Sequence, residues 1–145
     1  MNKHFGVKVS GKVVRGEKYG RKLGFPTANL ERRGYVKLKS KPRLGVWAGT
    51  AILNPKSEIR NPKNFKSPIL NHKSYIAGIV IGPVDKSGLP KIEAYLLGFK
   101  GNLYGKKIVL YLQKFVRPFK KFKSVEALKK QIKKDIKIIK QLPIH

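Results

Sequence analysis

One acidic residue of the chain lies where a carboxylate could take part in catalysis. The 145 residues include seven Asp and Glu, and Glu93 is the one set within a bulky apolar segment, Lys91–Leu97. In an extended strand Glu93 shares a face with Tyr95, and the neighbouring residues occupy the other face. A carboxylate on a core-facing side costs free energy unless it is paired or used chemically. Two interpretations stay open: a glutamate on a solvated strand face, or a general base that accepts the proton of a hydroxyl nucleophile.

A second group of polar side chains follows a loop rich in glycine and cations. Thr27 and Asn29 are two residues apart, so in an extended segment their side chains point to the same side. Such oxygens can hold a hard cation and the phosphate oxygens that it bridges. The loop before them could approach and neutralise a nucleotide through Gly16, Gly20, Arg21, Lys22 and Gly24. A turn capped by Thr and Asn is the alternative, and the Gly-x-x-x-x-Gly-Lys-Ser/Thr phosphate loop is absent.

Other kinds of reactive site are excluded by composition. The chain has no cysteine, which removes disulfides, thiolate metal sites and thiol nucleophiles. Its three histidines, His4, His72 and His145, are too far apart in the sequence for metal-ligand spacing. A bound metal would therefore be held by oxygen atoms.

The elements that must position these residues are mostly β-strands. Apolar alternation or continuous bulky residues predict strands over residues 5–15, 35–38, 45–53, 75–81, 92–99 and 106–116. Residues 16–24 and 54–74 are predicted loops, the second long enough to suggest an insertion, and 102–105 is a predicted turn. Six strands without an intervening helix predict an antiparallel barrel.

From Ser124 onward the apolar period becomes helical. Ser124 is a suitable N-cap, and Pro143 ends the element. The two acids of this segment, Glu126 and Asp135, are predicted in the first turn or on the helix surface. The apolar positions that define the helix are Val125, Leu128, Ile132, Ile136 and Ile139. One all-β domain over residues 1–145, closed by an amphipathic helix, is therefore the predicted architecture.

The net charge of +27 has two interpretations. A surface this basic could bind nucleic acid, and an oligonucleotide-binding barrel is the main rival to an enzyme. However, Lys is far commoner than Arg and is dispersed over every segment, whereas sequence-specific readers concentrate Arg. We therefore favour a general lysine bias and expect no specific nucleic-acid partner. The positive field would still attract a small anion such as a nucleotide.

Hydropathy gives no sign of membrane insertion. No apolar segment approaches the roughly 20 residues that a membrane helix needs. The first residues also lack the apolar core of a signal peptide. We therefore expect a cytoplasmic protein without a membrane partner. We also expect a monomer.

Several ordered segments resemble the signatures of riboflavin kinases. The segment with Pro-Thr-Ala-Asn and the segment with Glu93 are among them, and their order matches that family. The chain also ends on an Arg-Pro and a Lys-Phe segment that lead into a closing helix, as in the family. The matching segments are Gly11–Gly16, Gly20–Leu30, Gly45–Gly49, Ile92–Phe99, Leu103–Lys106, Phe115–Pro118 and Lys121–Leu128. The resemblance is to the C-terminal kinase domain of bifunctional bacterial riboflavin kinase/FAD synthetases, here as a stand-alone domain.

The resemblance implies a fold and a reaction. The fold is a six-stranded Greek-key barrel with a C-terminal helix, and the reaction is transfer of the γ-phosphoryl group of a nucleoside triphosphate, ATP by expectation, to riboflavin. Thr27 and Asn29 would bind Mg²⁺, or another divalent cation, together with the nucleotide phosphates. Glu93 would accept the proton of the riboflavin 5′-hydroxyl. Such phosphoryl transfer depends mainly on positioning and charge neutralisation.

The resemblance also raises questions of substrate and product. The flavin ring would need an apolar slot near the closing helix, and the candidates for its lining are Tyr104, Phe115, Arg117 and Phe119. The family commonly has Asn-Ile-Gly after its central strand, where this chain has Val80 followed by Ile and Gly. No nucleotidyltransferase domain accompanies the kinase-like segment, so the expected product is FMN and not FAD.

Overall fold

The computed structural model describes residues 7–15, 27–53 and 73–143. Within these ranges the chain forms six strands and two helices. The strands are β1 (Val7–Val14), β2 (Ala28–Leu30), β3 (Gly45–Leu53), β4 (Lys73–Val84), β5 (Pro90–Leu96) and β6 (Lys107–Arg117). The helices are α1 (Arg33–Val36) and α2 (Val125–Gln141).

The strands close into an antiparallel barrel in the order β1-β2-β5-β4-β3-β6. Closure comes from β6, which pairs with β3 on one side and with β1 on the other. The β3-β4-β5 meander has β6 beside its first strand and β2 beside its last, which is Greek-key topology. The predicted fold class is confirmed.

The barrel interior is filled by alternate residues of all six strands. Val9, Ile79 and Leu110 are among those with no exposed surface, and their neighbours in sequence face outward. In β5 the inward residues are Ile92, Ala94 and Leu96. Glu93 and Tyr95 therefore lie on the outer wall.

Helix α2 packs on that outer wall and forms a second apolar cluster. Ile139 of the helix and Tyr95 of β5 are buried there, with Val80 and Val116 packed around them. Gly78 of β4 makes room for the tyrosine, because a Cβ at this position would lie 2.4 Å from the Tyr95 ring. Within the three described ranges, no helix is long and apolar enough to span a membrane.

The ends of α2 agree with the prediction. The Ser124 side chain accepts a hydrogen bond from the Ala127 N–H at 3.1 Å, as an N-cap should. The helix stops at Gln141, two residues before Pro143. The predicted turn before β6 is also present, where the Asn102 side chain accepts from the Tyr104 N–H at 2.9 Å.

The interpretation of residues 35–38 as a strand is wrong. This segment contains the end of the short helix α1, in which Tyr35 is buried and Val36 is largely exposed. Tyr35 and Leu38 both contact the core, and their spacing of three residues is that of a helical turn. The sixth strand is instead β2, which lies in the Pro-Thr-Ala-Asn segment.

Strand limits also differ from the prediction in β4 and β5, and β4 ends at Val84 instead of residue 81. β4 begins at Lys73, so the last two residues of the predicted 54–74 loop belong to a strand. β5 covers Pro90–Leu96, and the predicted continuation to residue 99 is a turn. The remainder of the predicted insertion, residues 54–72, lies outside the described residues.

Candidate functional site

The two predicted groups of reactive side chains are brought together by β2 and β5. Asn29 and Glu93 are directly opposite each other in the antiparallel ladder. Residues so paired share a face, and their Cβ atoms are about 5 Å apart. Both side chains are half-buried, so each is still accessible to solvent. The register thus places an amide and a carboxylate side by side on the outer wall.

Thr27 completes a set of oxygen donors at this place. It directly precedes β2 and is half-buried, and the inward residue Ala28 separates it from Asn29. A hydroxyl and an amide oxygen suit a hard cation such as Mg²⁺, which commonly takes its remaining ligands from phosphates and water. In the described ranges no three His, Asp or Glu side chains cluster as a self-sufficient metal site. The donor set therefore fits a cation that arrives with a nucleotide.

An arginine bracket holds the short strand β2 against β5. Arg32 follows β2 and donates from Nη1 to Asp85 Oδ2 at 2.6 Å and to the Leu89 and Pro90 carbonyls at 3.4 Å. Asp85 also accepts from Ser87, and these hydrogen bonds, with the Arg32 charge, hold the Asp85 pKa well below its usual value. Because β2 has three residues, this bracket helps to fix the register that sets Asn29 beside Glu93.

The residue on the other side of Glu93 is Val80. The two are directly paired between β5 and β4, and Val80 is half-buried. This is the position where the sequence departs from the Asn expected by resemblance. The departure therefore changes a direct neighbour of the candidate base, from an amide to an apolar side chain.

The same lateral row continues from Glu93 towards the closing helix. After Val80 it passes through Val46 of β3 and reaches Arg117 at the end of β6. Three strand spacings of about 4.8 Å separate Glu93 from Arg117, or about 14 Å along the wall. Glu93 and Arg117 are therefore two ends of one lateral row on the outer wall, in which Val46 is buried.

Arg117 is bound to a buried aspartate of α2. Its Nε and Nη2 donate to Asp135 Oδ1 and Oδ2 at 2.9 and 2.8 Å, and its Nη1 donates to the Pro118 carbonyl at 3.1 Å. Gln131 also donates to Asp135 at 3.0 Å. The placement of Asp135 on the helix surface is wrong, because its side chain is 1% exposed. The sequence carried a signal: Asp135 lies three residues after Ile132 and four before Ile139, on the apolar face.

Tyr95 is a part of the site that the sequence did not single out. It lies two residues beyond Glu93 on the same face, buried beneath α2. Burial raises its pKa well above the ordinary value, and the nearby Asp135 carboxylate adds to the effect. The neutral phenol is therefore a fixed part of the wall between Glu93 and the helix.

The four predicted flavin contacts do not lie together. Phe115, Arg117 and Phe119 are at the C-terminal end of β6, where Phe115 packs edge-on against Trp47. Tyr104 precedes the other end of β6, which is 11 residues or roughly 30 Å away along the strand.

Tyr104 lies on the side of the barrel where β1 meets β2. The N–H of the next residue, Gly105, bonds to the Val13 carbonyl, and Val14 pairs with Asn29. Tyr104 is 53% exposed, and the Arg15 guanidinium lies 5.1 Å from the centroid of its ring. Tyr104 therefore lies near the end of the barrel that carries Thr27 and Asn29. The predicted nucleotide contacts Gly16, Gly20, Arg21, Lys22 and Gly24 lie outside the described residues.

A comparison with protein-family models assigns the chain to a family. The family model described as Flavokinase: Riboflavin kinase matches residues 3–142. The chain belongs to the riboflavin kinase family. A protein of Bacillus subtilis named RNA-binding riboflavin kinase RibR is 34% identical over 132 residues, which are 90% of this chain and 49% of that protein. The bifunctional riboflavin kinase/FMN adenylyltransferase of Buchnera aphidicola is 34% identical over 137 residues, 92% of this chain and 38% of that protein.

Solved structures show the same fold. Riboflavin kinase from Trypanosoma brucei superposes with a TM-score of 0.57 at 23% identity, covering 92% of this chain and 74% of the other. A Streptococcus pneumoniae structure described as a macrolide-efflux protein gives 0.70 at 24% identity, covering 94% of this chain and 39% of the other. The chain thus spans about half or less of the length of the two sequence relatives.

Proposed function

We propose that this chain transfers the γ-phosphoryl group of a nucleoside triphosphate, ATP by expectation, to the 5′-hydroxyl of riboflavin and so forms FMN. The observation that carries the proposal is the register pair of Asn29 and Glu93 in a chain of the riboflavin kinase family. A carboxylate next to an amide and a hydroxyl can serve a proton transfer and a phosphate group at once. A polyanion-binding barrel would have no use for that combination.

In this reaction Glu93 accepts the proton of the riboflavin hydroxyl. The hydroxyl oxygen forms a new bond to the γ-phosphorus, and the bond from that phosphorus to the β,γ-bridging oxygen breaks, releasing the nucleoside diphosphate. Thr27 and Asn29 orient the phosphates so that the attacking and leaving oxygens are in line. Bound Mg²⁺ would supply neutralisation of the phosphate charge, held by Thr27 and Asn29.

The flavin is assigned to the outer wall between Glu93 and the end of β6. Half-buried Val80 lies beside the base at the border of the cluster under α2. Phe115 lies near the far end of the row, and Phe119 lies against Gly82 of β4. Arg117 already uses Nε, Nη1 and Nη2 in hydrogen bonds, so we assign it a supporting role at that end. Tyr104 is the predicted flavin contact that this assignment places with the nucleotide instead.

The substrates also bear on partners and location. Riboflavin and a nucleoside triphosphate are small molecules, and the reaction between them requires neither a nucleic acid nor a membrane. We therefore expect a cytoplasmic monomer.

The direct test is product formation. Purified protein is incubated with riboflavin, Mg²⁺ and each nucleoside triphosphate in turn, and the flavins are separated. We expect FMN with ATP. Absence of FMN with every donor, together with submicromolar oligonucleotide binding at about 0.15 M salt, would favour the nucleic-acid-binding alternative.

Thr27→Ala and Asn29→Ala are expected to weaken nucleotide binding by roughly 10- to 100-fold each, and turnover with it. Each removes a polar contact to a charged phosphate or its cation, an interaction that contributes about 1.5–3 kcal/mol. Riboflavin affinity, measured by flavin fluorescence, should stay largely unchanged. Thr50→Ala, on the outer wall of β3, is the matched control. If riboflavin binding were lost while nucleotide binding survived, the assigned roles would be reversed.

A further inference from the structure

A basic pocket lies on the outer surface of the barrel beside α1. Its volume is about 400 Å³. Four cationic side chains from three elements line it, Lys8 from β1, Lys107 from β6 and Arg33 and Lys37 from the α1 segment, together with one carboxylate, Glu31. A pocket of this size holds a small molecule.

Close contact between α1 and β1 makes the surface concave. Gly34 lies directly on β1, because a Cβ there would be 2.1 Å from the Ser10 carbonyl oxygen. The absence of a side chain lets the helix approach the strand. The cations of α1 therefore stand beside the cations of the β1–β6 ladder, with glycine and serine between them.

Like charges lie close together around this pocket. Lys12, which follows the lining residue Gly11, is directly opposite Lys107 in the β1–β6 ladder, and like charges so placed destabilise a sheet. The carboxylate of the lining is already engaged. Glu31 Oε1 lies 3.6 Å from Arg33 Nε, and Oε2 accepts from the Lys12 N–H at 3.2 Å. An anion with several charges would neutralise the remaining cations.

The pocket is separate from the candidate active site. Glu93 lies on β5, whereas the pocket is formed by β1, β6 and the α1 segment. The two sites come nearest to each other at the end of β2, since the lining residue Glu31 follows this strand and comes two residues, or about 7 Å, after Asn29. We propose that this pocket is a second anion site, which binds a compact polyphosphate independently of Thr27 and Asn29. Free pyrophosphate and the phosphate tail of a nucleotide share the required chemistry.

The experiment is calorimetric titration with pyrophosphate, without added metal. It is made on the wild-type chain and on Asn29→Ala, in which the candidate active site is weakened. A pair of substitutions in the pocket, Lys8→Gln with Lys107→Gln, is compared with Lys133→Gln and Lys137→Gln on the exposed face of α2. Both pairs lower the net charge equally, so they separate a local site from the general positive field.

We expect Asn29→Ala to retain a pyrophosphate site. The pocket pair should lower the affinity for pyrophosphate at least tenfold in both backgrounds. The α2 pair should change that affinity less than twofold. Equal weakening by both pairs would overturn the proposal, since the general field would then explain the binding. Loss of all pyrophosphate binding in folded Asn29→Ala would overturn it as well. Titration with ADP distinguishes a nucleotide tail from free pyrophosphate. If an oligonucleotide of 20 nucleotides binds through the pocket lysines and neither pyrophosphate nor ADP binds there, the pocket is a nucleic-acid surface and the proposal is wrong.

Discussion

Glu93→Gln is expected to lower the rate of riboflavin phosphorylation by a factor on the order of 10² to 10⁴, the usual contribution of a general base. Glutamine has nearly the same shape and can still accept hydrogen bonds, but it cannot take a proton at neutral pH. The ladder contacts with Asn29 and Val80 involve the backbone and would be preserved. Binding of riboflavin and of nucleotide should therefore remain nearly normal.

Single-turnover kinetics with saturating substrates measures this effect directly. Glu126→Gln, which removes an exposed carboxylate from the first turn of α2, is the matched control and should keep the wild-type rate. The wild-type rate should fall on the acidic side of its pH profile as the base becomes protonated, and Glu93→Gln should lack that dependence. A variant with near-normal turnover would show that Glu93 is not the base.

The site consists of Glu93 on β5 and Asn29 on β2, and the sequence predicts the placement of the first better than that of the second. Glu93 is an acid within an apolar strand, and the two-residue period of a strand correctly predicts that its side chain lies on the other face from Ile92 and Ala94. Whether the outer face was solvated could not be read from β5 alone. That answer depends on α2, which covers Tyr95 and leaves Glu93 half-buried. Long-range packing thus decides the environment of the carboxylate.

The strand β2 shows a second limit of sequence reasoning. Three residues, Ala28 to Leu30, are too few to establish a period, so the sequence pattern does not predict this strand. Its place in the barrel depends on non-local partners, Val14 on one side and Glu93 on the other. The Arg32 bracket to the β4–β5 turn is likewise non-local. The resemblance assigns Asn29 and Glu93 to one reaction and so implies that they lie close together. The local sequence pattern does not predict their pairing.

Asp135→Asn is expected to destabilise the fold by about 3 kcal/mol, the largest effect that we expect of any substitution on stability. The Asp135 side chain is 1% exposed and its partner Arg117 is 19% exposed, and two hydrogen bonds join them. Removing one charge leaves the other in a largely buried place without compensation, which typically costs about 3–5 kcal/mol. Partial exposure of Arg117 favours the lower end of that range.

Urea unfolding followed by circular dichroism measures the loss. Glu126→Gln again serves as the control, because an exposed acid near a helix N-terminus contributes less than about 1 kcal/mol. Replacing both partners, Asp135→Leu with Arg117→Met, should recover much of the stability, since no buried charge is then left unpaired. This double variant separates the cost of an orphaned charge from the net contribution of the pair. A loss below about 1 kcal/mol in Asp135→Asn would mean that apolar packing around Ile139, and not the ion pair, holds α2 on the barrel.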